Sequence, residues 1–136
     1  MVEVDLIDRN TGSIVKGEFE YDTEQRFALT LRMPGGQVIS ANERDYFESL
    51  CAIRRKLEPR GVTPLCNGAR RDVYSFGGSR QMGGGLGAHI LKMNVPADNA
   101  VYLFDPAPRE LVTTVAEQRK YFEDWCESVI GRRPSD

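Results

Sequence analysis

A chain of 136 residues, 40% apolar and 28% charged, has the size and composition of one globular domain, able to bury a core without disulfide or metal staples. Its first eight residues hold Glu3, Asp5 and Asp8 and no base, and its longest apolar run is Ala100 to Phe104, so neither a secretory start nor a membrane span is expected. The formal charge of −2 conceals a division: ten acids face five bases in residues 1–50, eight bases face only Glu58 and Asp72 in residues 51–97, and eight acids face five bases in residues 98–136. Either the basic middle folds against its acidic flanks and is neutralised, or it presents positive charge to a partner.

The first third reads as antiparallel sheet. Val2, Val4 and Leu6 share one strand face, because strand side chains alternate with period two. Asn10 and Gly12 suit a turn. Val15, Phe19 and Tyr21 line a second strand with Lys16, Glu18 and Glu20 on its other face, and Phe27, Leu29, Leu31 and Met33 repeat the alternation in a third. After Pro34-Gly35-Gly36, Gln37 to Ile39 suggests a short fourth strand, and the whole sheet should be wet on one face.

Ser40-Ala41-Asn42-Glu43 matches a capping box and predicts a helix over 41–57, with Tyr46, Phe47, Leu50, Cys51, Ile53 and Leu57 as its apolar stripe. Arg54, Arg55 and Lys56 fall in its last turn, where the helix dipole favours bases, and Pro59 and Gly61 end it. Strand signals follow at Val62–Cys66, Asp72–Phe76, Ala88–Val95 and Ala100–Phe104, with a glycine-rich loop from Gly77 to Gly87. A second capping box, Thr114-Val115-Ala116-Glu117, opens a helix over 114–130 that carries Val115, Phe122, Trp125, Cys126 and Val129. The expected fold is one α+β domain over 1–136, in the order three or four strands, helix, three strands, helix, with both amphipathic helices on one face of a mostly antiparallel sheet.

Three cysteines, Cys51, Cys66 and Cys126, are odd in number and form no CxxC, which predicts free thiols in a reducing, cytoplasmic compartment. Cys66 lies near bases that would lower its pKa, but no partner pattern makes it a nucleophile. His89 is the single histidine, so no two-histidine metal site is expected; beside the glycine run it is an acid–base candidate, or a structural residue at a strand start.

The candidate site is the Arg/Gly-rich segment 66–89: Arg70, Arg71, Asp72, Tyr74, Ser79, Arg80, Gly83, Gly84, Gly85 and His89. Guanidinium forks match carboxylate and phosphate oxygens, and glycines let a backbone approach a ligand and expose its amides. The plain alternative is a surface loop held by Arg–Asp pairs. Known cofactor motifs fail here. A P-loop needs a lysine after its last glycine, and Gly83-Gly84-Gly85-Leu86-Gly87-Ala88 fits the dinucleotide spacing but leads into a strand signal, not a helix. No cofactor or metal is therefore expected. Tyr74 and Phe76 could stack on bases, but a pI near 5.5 opposes nucleic-acid binding.

The text Leu65-Cys66-Asn67-Gly68-Ala69-Arg70-Arg71-Asp72-Val73-Tyr74, then Arg80-Gln81-Met82-Gly83-Gly84-Gly85, then Phe104-Asp105-Pro106, resembles a family of small bacterial proteins to which no activity is attached. The resemblance covers most of the chain and transfers no catalytic residue. By analogy of size and charge, immunity proteins that bind secreted toxins are of this build. The expected function is accordingly a non-enzymatic module that binds another protein, as an immunity-like or adaptor protein, with a homodimer as one form. The alternative is a binding protein or enzyme for an anionic small molecule at the Arg/Gly-rich segment.

Overall fold

The computed structural model describes residues 1–21, 24–76, 83–97 and 100–134. Its first sheet is an antiparallel meander of β1 (Val2–Asp8), β2 (Ile14–Tyr21), β3 (Ala28–Arg32) and β4 (Val38–Asn42), closed on the far side of β1 by β5 (Val62–Pro64), in spatial order β4-β3-β2-β1-β5. The register sets Val4, Leu6, Phe19, Leu29 and Leu31 inward, where all are buried. The opposite face carries cross-strand ion pairs, Lys16 to Asp5 at 2.7 Å and Arg32 to Glu20 at 2.9 Å. This is the expected division into a dry and a wet face.

A second antiparallel sheet of three short strands, β6 (Val73–Tyr74), β7 (Gly87–Ile90) and β8 (Ala100–Tyr102), follows in that spatial order. Isolated bridges Cys66↔Pro106 and Arg70↔Val112 tie the connecting segments together. Phe104 joins the sheets, with its ring 4.8 Å from Phe19 and 5.3 Å from Tyr21. The apolar signal at Ala88–Val95 yields only the four residues of β7. Beyond them Lys92 bridges Val95 in a turn, and Asn94 takes a left-handed φ of 66°.

Among the described residues there are two α-helices, α1 (Tyr46–Leu57) and α2 (Val115–Ile130). Thr114 caps α2 as expected: its side chain accepts from the Glu117 N–H at 3.2 Å. Ser40 does not cap α1. Residues 38–42 pair with β3, and Asp45 caps α1 by accepting from the Glu48 N–H at 2.8 Å. Asp45-x-x-Glu48 offers the same chemistry five residues later, and strand pairing of the preceding segment selects it. α1 lies against β3, β4 and β5, whereas α2 packs on β6.

Among the buried polar residues of the helices, Arg54 on α1 and Gln118 on α2 meet. Arg54 is 1% exposed. Its Nη1 donates to Gln118 Oε1 at 2.6 Å and to the Gly68 carbonyl at 3.1 Å, and its Nη2 donates to the Thr113 carbonyl at 2.9 Å. Gln118 Nε2 in turn reaches the carbonyls of Gly68, Arg70 and Val73 at 2.8–2.9 Å. Gly68 is fixed here by space, because a Cβ would stand 2.4 Å from Leu50 Cδ2 and 3.0 Å from Leu103 Cδ2.

Trp125 is 3% exposed, rests near Phe76 and Phe122, and donates Nε1–H to the Val95 carbonyl at 2.9 Å. Trp125→Ala should lower stability by about 3–5 kcal/mol. Arg54→Ala should reach a comparable loss, since it leaves the Thr113 and Gln118 oxygens without this donor at about 1–3 kcal/mol each. Denaturant unfolding of both variants checks the pair, and an unchanged midpoint in either contradicts the burial argument.

Candidate functional site

Arg70 follows the buried turn Asn67–Ala69, and its strand-like backbone bridges to Val112. Its guanidinium is committed to Asp72, with Nε to Oδ1 and Nη2 to Oδ2 both at 2.9 Å, and both side chains are largely buried. The fork is thereby filled by a residue two positions away. Arg71 is exposed, and its guanidinium lies 5.4 Å from the Tyr121 ring centre, close enough for a cation–π contact. With Asp72 and Glu110 it edges a cleft of about 140 Å³, small and mixed in charge.

Tyr74 is a core residue, not a stacking platform. It is 7% exposed, its ring lies 4.0 Å from Phe122 in a parallel stack, and Phe47 meets it edge-on at 4.8 Å. Its hydroxyl accepts from Arg119 Nη1 at 3.2 Å. Burial raises the phenol pKa, opposed by that guanidinium. His89 is half-buried on β7, opposite Tyr74 in the strand register, with its ring 5.3 Å from that of Phe76.

Gly83–Gly85 form one 3-10 turn directed at the start of α1. Gly84 and Gly85 have φ of 64° and 88°, a region that L side chains rarely adopt. Space is limiting as well: a Cβ on Gly84 would stand 2.6 Å from the Phe27 ring, and one on Gly85 would stand 3.1 Å from the Asp45 side chain that caps α1. The glycines thus allow close packing on the helix N-terminus. Ser79 and Arg80 lie outside the described residues.

The candidate residues therefore divide between separate duties. Arg70 and Asp72 hold each other, Arg71 turns to Tyr121, Tyr74 enters the aromatic core, and the glycines seat against Phe27, Tyr46 and Asp45. The described members do not converge on a shared cavity. Two larger clefts, about 250 and 390 Å³, adjoin Glu3 and Lys16 on the wet face of the first sheet, and charges of both signs line them. Among the described residues, no group of three or more His, Cys, Asp or Glu side chains is gathered to hold a metal ion, and no helix is long and apolar enough to cross a membrane.

All three cysteines are free and buried. The expected lowering at Cys66 is reversed: burial pushes its thiol up to about 11, outweighing the Arg54 charge and the Gly68 and Ala69 backbone N–H groups. A thiol so held is no nucleophile near neutral pH.

Missing from the sequence-based site are Arg54 and Gln118, the residues that give the segment 66–74 its shape. Their signal was positional. Arg54 stands between Leu50, Cys51 and Leu57 on the α1 stripe, and Gln118 between Val115 and Phe122 on that of α2.

No protein-family model matches the chain, and no curated protein matches it in sequence.

Two outcomes follow from this geometry. Arg70→Ala should destabilise the fold by about 1–3 kcal/mol, because it leaves the partly buried Asp72 carboxylate without its donor; an unchanged melting temperature would show the pair to be dispensable. Second, a thiol raised from 9.0 to about 11 keeps its proton in the folded chain while the unfolded chain ionises. Its contribution is complete below pH 9 and is lost as pH rises through 11, about 2–3 kcal/mol over the two units. Urea unfolding at pH 8 and pH 10.5 should show this loss, and Cys66→Ala should reduce it.

Proposed function

We propose that this chain is a non-enzymatic, cytoplasmic protein-binding module of the immunity or adaptor type. One observation carries the reading: among the described residues of the Arg/Gly-rich segment, the Arg70 fork is filled by Asp72, and Gly84 and Gly85 sit against Phe27 and the Asp45 side chain that caps α1. An enzyme or small-ligand protein gathers polar groups in a concave site, whereas a partner surface can be broad and shallow. The charge division supports the same reading. Among the described bases of 51–97, Lys56 turns to the Ser40 carbonyl, Arg60 to Gln37 Oε1, Arg71 to the Tyr121 ring and Arg70 to Asp72. Arg55, Lys56, Arg60, Arg71 and Lys92 are all exposed, which leaves positive charge facing outward.

An anionic small molecule is the competing ligand, and a thermal-shift series separates the two. Phosphate, pyrophosphate, sulfate and citrate should move the melting temperature no more than sodium chloride of equal ionic strength. Saturable stabilisation by any one of them would replace the binding-module reading with an anion site.

A further inference from the structure

The geometry points to the free edge of β4 as the docking site, and to an extended, acidic segment of a partner protein as its occupant, added as a sixth strand. This rests on the binding-module reading and gives it a place and a chemistry. Among the described residues β4 is the outermost strand of the first sheet, and its five residues, Val38-Ile39-Ser40-Ala41-Asn42, contain no charge and no proline. Natural sheets usually blunt an edge with such residues, because an unpaired edge is a template for another strand. Val38 is 46% exposed, and Ser40 and Asn42 are exposed as well.

The register identifies which backbone groups are not used by β3. Met33 N–H donates to the Gln37 carbonyl at 2.8 Å, and strand pairing continues through Leu31↔Ile39 and Leu29↔Ala41. Antiparallel pairs alternate between bonded and non-bonded, so Ile39 and Ala41 bond to β3 while Val38, Ser40 and Asn42 direct N–H and C=O away from it. The Ser40 carbonyl confirms that direction independently, since it accepts from Lys56 Nζ at 3.0 Å.

Charge selects the occupant. Lys56 and Arg60 both reach this edge from the end of α1, Arg60 through Gln37 Oε1 at 2.9 Å. Both are held by neutral oxygens, so incoming carboxylates would meet ammonium and guanidinium groups with no acid to displace. A second copy fits less well. A two-fold axis at Ser40 would bring two Lys56 side chains together, and like charges placed opposite one another disfavour pairing.

Two synthetic seven-residue peptides that differ only in charge, alternating Glu-Val and alternating Lys-Val, test the assignment on the full chain by backbone NMR and amide exchange. The Glu-Val peptide should shift the Val38–Asn42 resonances and slow exchange of the Val38, Ser40 and Asn42 amides, and the Lys-Val peptide should do neither. Ser40→Pro removes an outward N–H that β3 does not use, so it should abolish binding with the fold intact, while Ser40→Ala should bind as the native chain does. Lys56→Glu, an exposed substitution that keeps the test open if Ser40→Pro fails to fold, should weaken the Glu-Val peptide about tenfold. Absence of Glu-Val binding, shifts centred elsewhere, equal binding by Ser40→Pro, or a concentration-dependent dimer lost in Ser40→Pro would each overturn the proposal. A natural partner held equally well by the native chain and Ser40→Pro would overturn the edge assignment while leaving the binding-module reading in place.

Discussion

A guanidinium group sealed from water is the constraint around which this fold is arranged. Arg54 is surrounded by the Gly68 and Thr113 carbonyls and Gln118 Oε1, and none of these hydrogen-bond acceptors is a carboxylate. A buried charge without a counter-ion is costly unless its donors are met. Every acceptor must therefore be held in place, one in the turn Asn67–Ala69 and two at the start of α2. The turn Asn67–Ala69 is fixed by Asn67 N–H on the Asp105 carbonyl and Gly68 N–H on the Leu103 carbonyl, both at 2.9 Å. α2 is fixed by its aromatic face on Tyr74, and its first N–H, at Val115, donates to Glu58 Oε2 at 2.8 Å. One cation thereby specifies how α1, α2 and both sheets meet.

This accounts for the unusual text of residues 65–74 without a ligand. The Gly68 carbonyl must reach two donors while its α-carbon passes between Leu50 and Leu103, a position only glycine fills. Arg70 and Asp72 brace the following bridge to Val112, and Tyr74 stacks under α2. Residue types that suit phosphate recognition also suit the tying of irregular backbone into a core, since both tasks call for forked donors and close approach.

Period-two alternation made the first three strands legible, because one face is dry and the other wet, and stripe spacing did the same for both helices; β4 extends to Asn42, beyond the Gln37–Ile39 signal. The error at the start of α1 arose because Ser40-x-x-Glu43 and Asp45-x-x-Glu48 are equivalent caps locally. Only the pairing of Val38–Asn42 with β3, a non-local contact, decides between them. The single expected sheet became two because the strands after α1 are two to four residues long, too short for alternation to reveal their partners. The surroundings of the candidate residues were hidden for a related reason: residue type was legible at Arg70 and Gly84, but the neighbours beside them, Asp72 at the first and Phe27 at the second, depend on how the chain returns.

The separation between Arg54 and Gln118, 64 residues along the chain, also has a bearing on vectorial synthesis. The β1–β4 meander uses contacts between neighbouring strands, which close small loops and form early. At a ribosomal rate of about 5–20 residues per second, Gln118 emerges several seconds after Arg54. Until then Arg54 lacks two of its three oxygen acceptors, the Thr113 carbonyl and Gln118 Oε1, so the closing of the core waits on one of the last elements to be made.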